Sequence, residues 1–185
     1  MENKNKYIGI DPGIRTTGWG IIVSENSRLK YLSHGIIENK KFVNDELRLL
    51  NIFEKLTSII TSFKPNIAVV EQVFVSKNAN SALKLGMARG IVLLACAMAN
   101  LEVREISARK VKKVITGTGS AEKKQIVKMI SNLLSIQNVS NDAADALGMA
   151  VAGSHGGYEN FDDFNNYSEN NLSKAIKSAL EKEKL

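Results

Sequence analysis

Apolar runs near the start of the chain are rich in aromatic and β-branched residues, as in β-strands. Residues 7–11 form a short apolar run that ends on the carboxylate of Asp11 and is stopped by a Pro-Gly pair. Residues 16–23 and 29–37 have the same β-branched and aromatic character. Gly9 is the one weak strand former in the first run, and such a glycine often marks the close approach of another backbone or a ligand. The pattern predicts three successive strands, with Asp11 at the end of the first.

The next hundred residues switch between helical and strand periodicity. Residues 43–63 place apolar side chains on one helical face and predict an amphipathic helix. Residues 67–70 are continuously apolar, as in a buried strand, and lead directly into Glu71. A helix that is apolar on almost every side is predicted over residues 81–100, and a strand over residues 101–106. The alternation of strands and helices predicts an α/β fold.

Three further helices follow in the sequence. Ser107 is placed to cap a basic helix that runs to residue 115, and a second helix is predicted from Ser120 to residue 134. Asn141 is placed to cap a helix rich in Ala, Leu, Met and Val over residues 142–153. The predicted core of the protein therefore ends with this apolar helix.

Length and composition indicate one domain and a tail. A chain of 185 residues suits one domain with a substantial core, predicted over residues 1–155, followed by a loosely ordered tail with a short amphipathic helix over residues 156–185. Cys96 is the only cysteine, which excludes a disulfide framework and suggests a reducing compartment. The longest apolar run, residues 91–99, is far below the roughly 20 residues of a membrane span, and the first residues lack an apolar signal sequence. We therefore expect a soluble, cytoplasmic protein.

The positive charge of the chain is unevenly distributed. The net charge is +6, and residues 104–128 alone hold eight basic residues and two acidic ones. A basic stretch of this kind favours a polyanion such as nucleic acid as the partner. A solvated basic face is the plainer alternative.

Four carboxylates lie where apolar elements begin or end. Asp11 and Glu71 each close a strand, and Asp142 and Asp145 share one face of a helical first turn. If the two strands are parallel neighbours, Asp11 and Glu71 project from the same edge of the sheet. Converging carboxylates need a compensating cation, and oxygen ligands suit Mg²⁺ or Mn²⁺. Taken singly, Asp11 could be a turn former, Glu71 a surface residue, and the two helical acids partners of the helix dipole.

Such a cluster is suited to the cleavage of phosphodiesters. With two divalent ions, one lowers the pKa of a water molecule and the other stabilises the leaving oxygen. The basic stretch would hold the nucleic-acid backbone without reading its sequence. The combination of acids and basic residues predicts a metal-dependent nuclease.

Four motifs in this order resemble the RuvC-type Holliday-junction resolvases. They are IGIDPG at 8–13, VVEQVFVSKNANSALKLGMARG at 69–90, TGTGSAEKKQ at 116–125 and NDAADALGMA at 141–150. The resemblance extends over residues 7–155. It implies a ribonuclease H-like fold, with a mixed five-stranded sheet flanked by helices. It also implies a crossover junction endodeoxyribonuclease, a homodimer that resolves four-way DNA junctions by paired, symmetric nicks in recombination and repair.

The resemblance also assigns roles to residues, cofactors and partners. It implies that Asp11, Glu71, Asp142 and Asp145 are the catalytic, metal-binding acids, although some relatives have histidine at the place of Asp142. Two Mg²⁺ ions per site are implied, with Mn²⁺ as a substitute. The implied partners are four-way junction DNA, a second copy of the chain and a junction branch-migration complex.

DNA contacts are implied at five positions. Phe74 matches a loop aromatic that stacks on an unpaired base, with a core position as its alternative. Lys112 and Lys123 match lysines that contact phosphate, and Lys123 is also placed in the catalytic set because it would stabilise charge beside the metals. Lys77 and Arg109 are added because they lie near these motifs, and solvated surface charge is an equal alternative for both.

Three other functions are weighed against this one. The GIDPG segment also looks like the first phosphate loop of sugar kinases and actin-like ATPases, but that architecture needs two lobes. A ribonuclease H-like nuclease acting on structured RNA and a non-catalytic junction-binding protein remain as alternatives.

Residues 81–100 are the candidate dimer interface, with burial against the chain's own sheet as the alternative.

Overall fold

The computed structural model describes residues 4–26, 28–72 and 78–156. The strands are β1 (Lys4–Asp11), β2 (Thr16–Glu25), β3 (Arg28–Glu38), β4 (Ile67–Glu71) and β5 (Glu102–Ile106). The helices are α1 (Asp45–Phe63), α2 (Ala79–Met98), α3 (Ala108–Thr116), α4 (Lys123–Leu134) and α5 (Asn141–Ser154). Every predicted strand and helix of the core is present. The predicted tail helix lies outside the described residues, so the division into a domain and a tail stays a prediction.

Two helices begin at caps other than the predicted ones. Ser140, rather than Asn141, caps α5, and its hydroxyl oxygen accepts a hydrogen bond from the Ala143 amide at 3.4 Å. Helix α4 begins after Glu122, rather than Ser120, and the Glu122 amide donates to the Gln125 side chain at 2.9 Å. The prediction that Ser107 caps α3 is confirmed. Several neighbouring residues could act as caps in these segments, and only the backbone path decides which one does.

The five strands form one mixed sheet in the order β3-β2-β1-β4-β5. The β1–β2 and β2–β3 pairs are antiparallel, whereas β1–β4 and β4–β5 are parallel. The parallel register pairs Ile10 of β1 with Val70 of β4. The next residue on each strand is an acid, Asp11 on β1 and Glu71 on β4. The two predicted strand-end carboxylates therefore lie side by side at one edge of the sheet.

Alternation along β1 and β4 places these acids on a particular face. Ile8, Ile10 and Val70 belong to the core that α1 and α2 cover, whereas Tyr7 and Val69 belong to the core that α3, α4 and α5 cover. Because side chains alternate with a period of two, Asp11 and Glu71 project to the second face. This is the face against which α5 packs.

Glycines let α5 approach the sheet more closely than a side chain would allow. A Cβ on Gly9 would lie 1.9 Å from the carbonyl oxygen of Ala146, and one on Gly18 would lie 2.1 Å from that of Asp142. The prediction that Gly9 marks a close approach is confirmed, and the approaching backbone is that of α5. The packing brings the first turn of α5, with Asp142 and Asp145, to the end of β1.

Helix α2 has one buried face and one exposed apolar face. Its buried side includes Val92 and Cys96, whereas Leu83, Leu94 and Met98 are 66%, 50% and 67% exposed. The alternative that this helix is wholly buried against its own sheet is therefore wrong. By length and composition alone α2 could cross a membrane, with 22% of its most apolar window buried.

Candidate active site

A pocket of about 260 Å³ lies where β1 and β4 end. Three of the four predicted acids line it, namely Asp11 from β1, Glu71 from β4 and Asp145 from the first turn of α5. Lys112 of α3 and Lys123 of α4 complete its charged lining. The remaining lining residues are Ala108, Val111, Ile126 and Met149. Five separate elements of the fold thus contribute one charged side chain each.

Asp142 lies next to this pocket but lines a different cavity. It borders a groove formed with the 13–16 loop and the start of α2. Its charge nevertheless contributes to raising the pKa of Asp11, so the two acids are near each other. The structure therefore brings three of the predicted acids together and places the fourth at the boundary between two cavities.

The pKa values show how strongly these carboxylates are confined. Burial, followed by the negative charges of Glu71, Asp145 and Asp142, raises the pKa of Asp11 to about 7. Burial and then the charge of Asp145 raise the pKa of Glu71. Burial also raises the pKa of Asp145, although Lys123, whose Nζ lies 3.5 Å from Asp145 Oδ2, opposes the shift. The pocket holds more negative charge than its own lysines neutralise.

The donor atoms and the charge of the pocket fit a hard divalent cation. All the acids offer carboxylate oxygens, the ligands that Mg²⁺ and Mn²⁺ prefer, and a cation would relieve the repulsion that raises their pKa values. In the part of the chain that the structure describes, no three Asp, Glu, His or Cys side chains are grouped tightly enough to hold an ion. The carboxylates are therefore gathered on one lining without being closed into a ligand cage.

The predicted basic contacts are divided by the structure. Lys112 and Lys123 line the pocket, whereas Arg109 is exposed and packs beside Gly119 outside the lining. Phe74 and Lys77 lie outside the described residues. The basic stretch as a whole does not face one surface.

Arg104 shows how the stretch is divided. Its Nε lies 2.6 Å from Glu102 Oε1, and its guanidinium lies 5.6 Å from the centre of the Tyr7 ring. It therefore contacts a residue of its own strand and, across β4, a residue of β1, and it is absent from the pocket lining.

One contact behind the pocket is absent from the predictions. Arg89 of α2 pairs with Glu105 of β5, and its Nε donates to the backbone carbonyl of Glu71 at 3.5 Å, the outer limit for a hydrogen bond. Arg89 and Glu105 are 22% and 12% exposed, so the pair is largely withdrawn from water. The sequence contains one signal for this contact. Arg89 is a lone arginine in an apolar stretch of helix, and a charge in such a place needs a partner.

Comparisons with known proteins match the same residues as the family resemblance. The family model "Crossover junction endodeoxyribonuclease RuvC" matches residues 7–155. The chain is 45% identical over 156 residues to the protein of that name from Caulobacter vibrioides, which covers 82% of this chain and 92% of the relative. The corresponding protein from Caldicellulosiruptor saccharolyticus is 41% identical over 149 residues, covering 79% and 90% of the two chains.

A solved structure shares the fold as well. The structure of T. thermophilus RuvC in complex with Holliday junction substrate superposes with a TM-score of 0.76 at 25% identity, covering 84% of this chain and 98% of the other. The ribonuclease H-like fold predicted from the sequence is thereby confirmed. Since the family model spans the whole described core and the relatives are alike over nearly their full length, the chain belongs to the RuvC family of crossover junction endodeoxyribonucleases.

Proposed function

We propose that this protein resolves four-way DNA junctions by metal-dependent cleavage, with Asp11, Glu71 and Asp145 at the centre of its active site. The observation that carries the proposal is the pocket in which these three acids, with raised pKa values, meet Lys112 and Lys123. The chain is an endodeoxyribonuclease by family, and a relative has been solved with a Holliday junction substrate. Recombination and repair are the processes in which such junctions arise.

Asp11, Glu71, Asp142 and Asp145 would hold the metal, with Mg²⁺ as the proposed ion, Mn²⁺ as a substitute and two ions per site. When bound, the ions would supply an activated water and stabilise the leaving oxygen. The raised pKa values of Asp11, Glu71 and Asp145 support this part of the assignment, because a divalent cation would replace the proton that Asp11, with a pKa of about 7, partly retains near neutral pH. Asp142 would reach the metal from its place at the boundary between the two cavities.

The lysines of the pocket would serve the DNA and the acids together. Lys123 lies 3.5 Å from Asp145, so it holds that carboxylate in place and offers positive charge to a phosphate entering the pocket. Lys112 offers a second positive charge from α3. Phe74 as a stacking aromatic, and Lys77 and Arg109 as phosphate contacts, are proposed on the sequence alone.

The exposed face of α2 supports a homodimer. Leu83, Leu94 and Met98 form an apolar face on that helix, and a Cβ on Gly86 or Gly90 would meet nothing within 4 Å, so a partner helix could approach closely. A two-fold dimer would present two active sites to a junction that has approximate two-fold symmetry, which suits paired nicks. A second copy accounts for this apolar face without a membrane, and we place the enzyme in the cytoplasm. A junction branch-migration complex stays a predicted partner.

The direct test compares three substrates with and without metal. A synthetic four-way junction, a linear DNA duplex of the same sequence and a structured RNA are incubated with the protein in Mg²⁺ and in chelator. We expect paired, symmetric nicks in the junction alone, and only with Mg²⁺. Preferential cleavage of the RNA would indicate a different nuclease, and binding without cleavage under every metal would indicate a junction-binding protein.

A further inference from the structure

A second, larger cavity lies on the other side of Asp142. This groove has a volume of about 520 Å³ and lies between the 13–16 loop and the start of α2, with α1 beside it. Three cationic side chains line it, Arg15, Arg48 and Lys84, and Asp142 is the one acid in its lining. Its charge therefore differs from that of the acidic pocket next to it.

The loop that carries Arg15 is held rigidly. Asn39 is fully buried, its side-chain amide donates to the carbonyl of Ile14 at 3.0 Å, and its backbone amide donates to the carbonyl of Arg15 at 3.0 Å. Asn51 of α1 donates to the Asn39 side-chain oxygen at 2.6 Å, and the Thr17 hydroxyl donates to the carbonyl of Gly13 at 2.8 Å. Buried polar groups satisfied in this way fix a loop in one conformation. The wall of the groove is preformed.

The cations opposite the loop are also positioned. Arg48 lies 2.8 Å from Asp45 and donates through Nε to the carbonyl of Phe42 at 3.0 Å, and Lys84 lies 3.3 Å from the same Asp45. One carboxylate thus holds two cations and leaves an excess of positive charge between them. Arg15 is exposed in the groove wall and adds a third cation.

We infer that this groove binds backbone phosphates of the DNA strand on the side of the acids away from Lys112 and Lys123. Cations that neutralise phosphates release the counterions condensed on the DNA, and this release would contribute to affinity without reading sequence. Because Asp142 borders the groove, a strand lying in it continues to the acids of the active site. This inference rests on the proposed function, since it assigns a surface to the same substrate.

The test uses the full-length protein with a double variant, Arg15→Ala with Lys84→Ala. Arg48 is left unchanged because its backbone contact makes it part of the local structure. Binding of a fluorescent four-way junction is measured by anisotropy in chelator, at several salt concentrations between about 50 and 200 mM. We expect the dissociation constant to rise at least about tenfold, and the slope of log affinity against log salt to become shallower by about two.

Matched variants separate a groove contact from a general loss of charge or fold. Lys55→Ala removes an exposed lysine of α1 that does not line the groove, and it should leave affinity and slope unchanged. Arg15→Lys with Lys84→Arg keeps the charges and should restore most of the affinity. Thermal unfolding of each variant verifies that it is folded.

Each outcome has a separate meaning. If the wild type cuts the junction and the folded double variant binds it with unchanged affinity and slope, the groove is not a phosphate-binding surface. If Lys55→Ala weakens binding as much as the double variant, the effect is one of net charge and the inference is equally overturned. If the wild type neither binds nor cuts the junction, the proposed function itself fails.

Discussion

At the scale of single residues, we expect catalysis and DNA binding to depend on different side chains. Asp11 and Glu71 line the pocket, whereas the proposed phosphate contacts are lysines and arginines on other elements. We expect Asp11→Asn and Glu71→Gln to lower cleavage by more than about a hundredfold while junction affinity in chelator stays within a few-fold of the wild type. Single-turnover cleavage and anisotropy measure the two effects. Loss of binding together with cleavage would contradict this division.

The carboxylate of Asp11 also makes the folding stability of the protein depend on pH. The pKa of Asp11 is about 7 in the folded protein and near 3.8 when unperturbed, so the folded state binds its proton more tightly than the unfolded chain does. The stability that this proton contributes is full below an unperturbed carboxyl pKa and is lost as pH rises through about 7. Glu71 and Asp145 act in the same direction because their pKa values are also raised.

We therefore expect metal-free wild type to be less stable at about pH 8 than at about pH 5, with Asp11 contributing up to about 3 kcal/mol of the change in unfolding free energy. Asp11→Asn should weaken this dependence and stabilise the metal-free protein at the higher pH, even though it abolishes cleavage. Urea unfolding in chelator at both pH values measures the change in unfolding free energy. Glu54→Gln, on the exposed side of α1, should keep the wild-type dependence. An unchanged dependence in Asp11→Asn would refute the assignment.

At the scale of secondary-structure elements, the contact between α5 and the sheet positions half of the acids. Gly9→Ala would place a methyl group 1.9 Å from the carbonyl oxygen of Ala146, and backbone atoms there have no room to yield. We expect a loss of about 3 kcal/mol or more in unfolding free energy, measured by urea unfolding. Gly86→Ala adds the same methyl group where nothing in its own chain lies within 4 Å. Although Gly86 lies on the proposed dimer face, this variant should keep the helical signal of the wild type in circular dichroism. Equal stability of Gly9→Ala and wild type would contradict the close packing.

Arg89 connects α2 to the end of β4. Because it pairs with Glu105 and donates to the backbone carbonyl of Glu71, it is a positioning residue for that acid. We expect Arg89→Gln to lower kcat about ten- to a hundredfold and to raise the Mg²⁺ concentration needed for half-maximal rate, with junction affinity in chelator unchanged.

The control for Arg89 is on the same strand as its partner. Glu105→Gln should resemble Arg89→Gln, whereas Glu102→Gln changes a carboxylate whose side chain is 57% exposed and should behave as wild type. A purely structural role would lower the thermal stability of Arg89→Gln without shifting the Mg²⁺ dependence of the remaining folded enzyme.

At the scale of the whole molecule, the exposed face of α2 is the proposed dimer interface. Leu94→Lys with Met98→Lys places two charges on this face, and we expect a monomer by sedimentation at micromolar concentration. The monomer should lose paired nicking, because the second active site is no longer held opposite the first. Leu133→Lys changes a 50% exposed leucine on α4 and should remain dimeric. A monomeric wild type would overturn the interface.

Sequence periodicity determined the elements and the type of site. An apolar run that ends on a carboxylate places Asp11 and Glu71 at strand ends, and both locations follow from the neighbouring residues along the chain. The motifs that carry the family resemblance contain all four acids, Lys123 and Gly9, so the candidate site was recoverable at the level of residues. These features depend on neighbours along the chain, which the sequence displays directly.

Only the tertiary structure decided how these parts face one another. The strand order and the parallel register set Asp11 beside Glu71, and the packing of α5 turned Asp145 into the pocket while leaving Asp142 on the boundary of a cationic groove. The contact of Arg89 with Glu71 joins residues 18 positions apart across a helix and a strand end. Such relations depend on which elements pack together and at what angle, and a local pattern of apolar and polar residues does not encode either.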